Sequence, residues 1–220
     1  MKDDRQKLIV ITGPTASGKS SLAIELALCL GGEIVNADSM QVYRGMDVAT
    51  AKTPIEERKG IPHHLIDVVY PDEDFNAAIF RSIAIPIVGE ILSRKKICFV
   101  VGGTGLYIKI LLGGLLSCPP VDPGFRERLR QECEKLGTAH LYERLNMIDP
   151  EYACSIHHHD KIRLMRALEI VHLTKEGSLS SLIQKHGFND RPFRALKICM
   201  QMDRETLYNK INNRCLAMVE

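Results

Sequence analysis

One eight-residue stretch constrains this chain more than any other. Gly13-Pro14-Thr15-Ala16-Ser17-Gly18-Lys19-Ser20 matches the pattern G-x-x-x-x-G-K-[ST]. It follows the apolar run from Lys7 to Thr12 and precedes Leu22, Leu26 and Leu30, which recur at helical spacing until Gly31-Gly32. A buried strand, a glycine-rich turn and a helix form the setting in which such a loop cradles phosphate. The glycines let successive backbone N–H groups converge on one anion, and the helix N-terminus adds its positive dipole end. Lys19 is placed to reach the terminal phosphate as a point charge, and Ser20 to offer its hydroxyl to Mg²⁺. The loop predicts that a polyphosphate binds without specifying which.

The rest of the chain extends this grammar. Glu33 to Asn36 reads as a second strand ending near Asp38, Asp74 to Ile91 as a helix kinked or broken at Pro86, and Ile97 to Val101 as a strand stopped by Gly102-Gly103. Strands alternating with helices predict a parallel sheet covered on both faces. After Cys118-Pro119-Pro120 only helical signals follow, to about His186. Asp122-Pro123 opens a helix that Gly137 closes, and Asp149-Pro150 repeats the device. Asp160 caps a helix over Lys161 to Thr174, closed at Gly177, with Ile162, Met165, Leu168 and Val171 marking its buried face. Alternation returns at Leu196, Ile198, Met200 and Met202, and Asp203 caps a last helix with Leu207, Ile211 and Cys215. The expected fold is α/β: a P-loop-type parallel sheet flanked by helices, with an all-helical insertion domain. Residues 1–120 form the core, 121–194 the insertion and 195–220 the return to the core. The chain reaches Glu220 within its last helix without a capping signal, which predicts truncation at the C-terminus.

Composition narrows the function. A net charge of +2 and the absence of Trp exclude a strongly basic nucleic-acid coat and argue against a base-stacking sheet. RNA contact would have to come from local patches. One such excess lies between Ile156 and Lys197, where eight Lys and Arg face four acids. The apolar runs are too short to cross a bilayer, and Met1-Lys2-Asp3-Asp4-Arg5 is no signal peptide. Seven scattered cysteines without a CxxC pair predict free thiols in a reducing, cytoplasmic setting. His157-His158-His159 tempts a metal reading, but three consecutive residues on a helix cannot converge on one centre. His63-His64 reads as a turn or pocket wall. Asp67 reads as an ordinary strand-end residue, or as a carboxylate behind a metal.

A nucleotide hydrolase of this loop class needs an Asp after an apolar strand. Val101 is followed instead by Gly102-Gly103-Thr104-Gly105, and only the second strand ends near a carboxylate, Asp38. Asp38 therefore stands either beside a metal or as a base facing a substrate.

Four stretches taken together resemble the tRNA dimethylallyltransferase (tRNA isopentenyltransferase) family. They are the loop Gly13 to Ser20; Asn36-Ala-Asp-Ser-Met-Gln-Val-Tyr-Arg-Gly-Met-Asp47 leading to Thr50-Ala51-Lys52; Pro62-His-His-Leu-Ile-Asp67; and Val101-Gly-Gly-Thr-Gly-Leu-Tyr107. Ile156 to Ile170 resembles the family's insertion helix, although family members usually read Pro-Asn where this chain has His158-His159. The resemblance implies transfer of a dimethylallyl group from dimethylallyl diphosphate to N6 of adenosine 37, beside the anticodon, in tRNAs reading codons that begin with U. It implies Mg²⁺ as cofactor, the tRNA anticodon stem-loop as partner, no membrane and a monomeric enzyme.

The resemblance also distributes roles. Asp38 would take the proton from the adenine amine, and Thr104 would hold the base or the diphosphate. Gly13, Pro14, Thr15, Ala16, Ser17, Gly18, Lys19 and Ser20 would grip the diphosphate, with Arg214 as its second cation. Asp38, Ser39, Met40, Gln41, Thr104, Arg126, Ile162, Arg163, Leu164, Met165 and Arg166 would meet the tRNA. An enzyme prenylating free AMP, a small-molecule kinase and a phosphate-binding regulatory module remain as rivals. The helical insertion weighs against the first, and the missing lid signature against the second.

Overall fold

Five consecutive apolar residues, Ile97–Val101, form strand β4, and the last four are buried, on both sides of the sheet. Cys98 and Val100 face one apolar layer, and Phe99 and Val101 the other, as the two-residue period of a strand requires. The computed structural model describes residues 5–118, 120–174 and 178–218. These residues divide into two units, Met1–Leu115 with Asp190–Glu220, and Leu116–Asn189.

In the first unit β1 (Gln6–Thr12), β2 (Gly32–Asn36), β3 (His63–His64), β4 and β5 (Phe193–Cys199) form one sheet in the order β3-β2-β4-β1-β5. Every pairing is parallel. Helix α1 (Lys19–Leu30) packs its Ala23, Ile24 and Ala27 against one face. Helices α2 (Ala77–Ser93) and α3 (Gly105–Gly113) cover the other. The parallel sheet flanked by helices is as the sequence led us to expect.

The details differ in informative ways. Helix α2 starts at Asn76, whose side-chain oxygen accepts the N–H groups of Ala78 and Ile79. It then runs through Pro86 without ending. An interior proline costs about 3 kcal/mol, but Phe80, Ala84, Val88 and Ile91 are wholly buried against the sheet and offset it. His63-His64 is not a turn but the edge strand β3, from which His63 forms part of a cavity wall. The buried carboxylate of Glu33 on β2 fastens it, pairing with His64 Nε2 at 2.8 Å and with Arg94 at 2.7 Å.

The second unit is all helical. Helix α4 (Pro123–Ile148) is capped by Asp122 and interrupted at Gly137, which has φ 83° and ψ 170°. Helices α5 (Pro150–Cys154), α6 (Lys161–Thr174) and α7 (Leu179–His186) follow. Asp160 caps α6 by accepting the Arg163 N–H at 3.0 Å; the expected stop at Gly177 lies outside the described residues. The helix buries the expected face only in part: Leu168 is buried and Met165 and Val171 pack partly buried against the same core, but Ile162 does not. Leu164, Ala167, Leu168 and Ile170 are buried, whereas Ile162 is 81% exposed. Steps of three fall 60° short of a full turn at 100° per residue, so Ile162 and Val171 stand on opposite sides.

The boundaries also fall earlier than 120/121 and 194/195. Leu116 and Cys118 already pack on the helical core. Asp190 is tied to the first unit by its pairing with Arg81, and β5 begins at Phe193, three residues before the apolar alternation becomes visible. The last helix, α8 (Arg204–Ala217), is capped by Asp203 as expected but has no fully buried residue.

Candidate active site

The carboxyl ends of β1, β2 and β4 lie side by side, and each delivers one part of a site. The turn after β1 is the phosphate loop. Gly18 holds φ 85° immediately before α1, a left-handed conformation that glycine adopts without steric cost. Thr15 to Ser20 line a cavity of about 480 Å³. Lys19 donates to the Pro14 carbonyl at 2.6 Å, which folds its side chain back over the loop. Ser17 is buried, and its Oγ is an unpaired buried polar atom. An unpaired buried hydroxyl costs free energy, and a phosphate oxygen in the loop would satisfy it.

The turn after β2 carries Asp38, which lines the same cavity. One carboxylate oxygen accepts the Met40 N–H at 2.9 Å. The preceding residue, Ala37, donates to Val101 at 2.7 Å and accepts from Thr104 N–H at 3.2 Å. Gly102 passes so close that a Cβ there would overlap the Ala37 carbonyl. The Thr104 hydroxyl does not cap α3; it accepts the Ser39 N–H at 2.9 Å and donates to Ser39 Oγ at 3.2 Å. Gln41 lines the cavity, and its amide donates to the Thr50 and Ala51 carbonyls at 3.1 and 3.2 Å. Met40 is exposed.

The last helix closes the site. Arg214 lines the cavity, and its Nη1 donates to Thr15 Oγ1 at 3.3 Å. Burial pulls the Lys19 pKa below the ordinary lysine value; Asp38 opposes that shift and Arg214 adds to it. The three charges therefore act on one another within the one cavity. The arrangement can neutralise a diphosphate with two cations and present a carboxylate to whatever lies beside it.

Sequence reading missed several residues here. Lys210 lines the cavity one helical turn before Arg214; its i,i+4 spacing from a suspected cation was the available signal. His63, which the sequence offered as a pocket wall, does line it, with Nδ1 2.8 Å from the Ile61 carbonyl. Asp67 is paired with a lysine: Lys52, itself buried, lies 2.6 Å from it and 2.8 Å from Asp47. Burial works against the charge on Lys52, but the two carboxylates outweigh it and hold its pKa above the ordinary value. The imidazoles of His157 and His158 stack at 4.4 Å, and that of His159 lies tilted against both. Among the described residues no three His, Cys, Asp or Glu side chains gather as a metal-binding group, and no helix is long and apolar enough to cross a membrane.

The remaining residues lie in the helical unit. Leu164 is wholly buried and Met165 half-buried, while Ile162 and Arg163 are exposed. Arg126 and Arg166 both bind the buried Glu169.

A family model described as IPP transferase matches residues 41–220, and one described as isopentenyl transferase matches residues 6–67. The chain belongs to the IPP transferase family. It is thus one of the prenyl-transferring enzymes. Among its relatives, tRNA dimethylallyltransferase 2 of Geotalea uraniireducens is 47% identical over 99% of this chain and 70% of its own length. The tRNA dimethylallyltransferase of Geobacter sulfurreducens is 47% identical over 97% and 68%. Of solved structures, the tRNA isopentenylpyrophosphate transferase of Bacillus halodurans is 40% identical with a TM-score of 0.65, over 98% of this chain and 66% of that one. A eukaryotic dimethylallyltransferase acting on tRNA is 30% identical with a TM-score of 0.81, over 97% of this chain and 53% of that one. The chain therefore spans about two thirds of the first of these solved structures and about half of the second.

Proposed function

We propose that this chain transfers the dimethylallyl group of dimethylallyl diphosphate to N6 of adenosine 37, in tRNAs reading codons that begin with U. The products are N6-(dimethylallyl)adenosine and diphosphate. The observation that carries this reading is one cavity lined by the phosphate loop, Arg214 and Asp38. Lys19, Arg214 and the loop N–H groups stabilise the departing diphosphate as the allylic C1–O bond breaks. The N6–C1 bond forms in its place, and the Asp38 carboxylate accepts the proton that N6 releases. Thr104 holds the turn that aims Asp38, through its two hydrogen bonds to Ser39. The base reaches the cavity by leaving its stack, which costs little in a single-stranded loop.

The residues fit Mg²⁺ as well. Ser20 at the start of α1 offers its hydroxyl oxygen to the cavity, and a hard cation takes oxygen ligands from such a side chain and from the diphosphate itself. When bound, it would neutralise diphosphate charge. The helical unit supports a tRNA substrate over a free nucleotide, since Ile162 and Arg163 stand exposed on α6.

The test is mass spectrometry of nucleosides after incubating the chain with Mg²⁺, dimethylallyl diphosphate and either unmodified tRNA or AMP. Adenosine 37 should gain one dimethylallyl group. Equal or faster modification of AMP would overturn the tRNA reading.

A further inference from the structure

Glu169 on α6 is wholly buried, yet it is an acid between Leu168 and Ile170 in the core of the helical unit. Its two oxygens gather two guanidinium groups. Arg126, at the start of α4, donates to Oε1 through Nε and to Oε2 through Nη2 at 2.8 Å. Arg166 donates to Oε2 through Nη1 at 3.1 Å. Both arginine side chains remain partly open to solvent, at 48% and 35%. Burial alone would raise the Glu169 pKa, but the hydrogen bonds from Arg126 and Arg166 hold it below the ordinary value, so it stays charged.

We propose that Glu169 is a positioning residue that holds Arg126 and Arg166 as one preformed clamp for an RNA phosphate. The inference rests on the proposed tRNA substrate. Three observations carry it. First, a buried ion pair is a weak stabiliser compared with apolar side chains of similar size, so packing does not call for a glutamate here. Second, one carboxylate needs one cation for balance, and here it holds two. The cluster keeps a net positive charge, and each guanidinium has five N–H donors, most of them unused. Third, the partly exposed sides of two ordered guanidiniums suit the forked, bidentate acceptance that phosphate offers. Two free arginines would repel each other and would lose rotamer freedom on meeting RNA. Glu169 removes the repulsion and orders them beforehand. Arg163 on the same helix shows the contrast: its ion pair is with the half-buried Asp160, at 3.3 Å, and it is 68% exposed.

The experiment uses the full chain with Glu169→Gln, Glu169→Leu, Arg126→Ala and the Arg126→Ala/Glu169→Gln double variant. Fluorescence anisotropy measures binding of a labelled anticodon stem-loop RNA at several NaCl concentrations. Dimethylallyl diphosphate binding and thermal unfolding are followed in parallel. Both Glu169 variants should weaken RNA binding about tenfold, and the slope of log K against log salt should fall by about 0.7 to 0.9 for each phosphate that is no longer neutralised. Donor binding should not change. Glu169→Leu, which refills the core with apolar atoms, should lose RNA binding even where it unfolds no earlier than the parent. In the Arg126→Ala background the Glu169→Gln change should cost much less than it does alone. Native RNA affinity and salt slope in both Glu169 variants, or a full multiplicative effect in the double variant, would overturn the proposal. If the parent chain itself binds no stem-loop RNA, the tRNA reading fails and the clamp with it.

Discussion

Arg214 Nη1 donates to Thr15 Oγ1 at 3.3 Å across 199 residues of sequence. This hydrogen bond fixes the end of the chain's last described helix over the loop that opens it. The phosphate cradle is thus completed by a cation that no local motif contains.

Arg214→Gln removes that cation while keeping a long polar side chain. Loss of one preorganised charge aimed at a leaving group costs about 10²- to 10³-fold in rate. Steady-state kinetics should show kcat/KM for dimethylallyl diphosphate falling by that order with the fold intact by circular dichroism. A loss under threefold would remove Arg214 from the diphosphate.

Asp38→Asn keeps the shape and the acceptor for the Met40 N–H but gives up basicity. Turnover should drop about 10²- to 10⁴-fold. Titration calorimetry should find donor affinity within a few-fold of the parent. Collapse of donor binding in place of turnover would assign Asp38 to the cation instead of the amine.

Gly102→Ala forces a methyl group into the Ala37 carbonyl. Backbone cannot give way as a flexible side chain can, so overpacking should cost about 1–3 kcal/mol. The melting temperature should fall, and activity should fall further than stability because Ala37 precedes Asp38. An unchanged melting temperature would show that the two turns do not touch.

Leu164→Ala and Ile162→Ala separate packing from exposure on α6. The first vacates a wholly buried site and should cost about 2–5 kcal/mol in chemical denaturation. The second alters a side chain that is 81% exposed and should stay within about 0.5 kcal/mol. Equal losses would restore the face expected from the three-residue spacing.

Asp149 is buried and accepts from the Tyr152 N–H at 3.1 Å and the Ser180 N–H at 2.8 Å. Burial would raise its pKa, but the hydrogen bonds from Ser180 and the α5 backbone outweigh that and hold it below the ordinary value. Its stabilisation is therefore complete above the unfolded pKa of about 3.9 and is lost as pH falls through the lower folded value. Asp149→Asn should cost about 1.5–3 kcal/mol at neutral pH. In denaturation series from pH 6 to pH 2 the gap between parent and variant should narrow below about pH 4. A constant gap would mean that the charge contributes nothing.

The sheet and the cradle were legible because their signals are local. The glycine pattern, the apolar runs and the capping Asp residues each lie within a few positions of what they specify. Residues whose partners lie far along the chain were not legible. Glu169 reads as one more surface acid until α4 brings Arg126 against it. Lys52 reads as part of a motif, but its burial follows from Asp47 and Asp67 closing around it. The two-residue β3 carries too little pattern to be seen; it exists because β2 offers it an edge and Glu33 holds His64. The buried face of α6 departs from the three-residue spacing because a strict count of three drifts around the helix.

The strand order has a final consequence. β4 alone lies between β1, which leads into the phosphate cradle, and β2, which leads to Asp38. Neighbouring strands keep about 4.8 Å between them, so the two ends are set roughly 10 Å apart by the hydrogen-bonded ladder. This spacing acts as a ruler that point substitutions cannot lengthen. Redesign for a bulkier donor would have to carve room from wall side chains such as Gln41 or His63, leaving the backbone gap as it is.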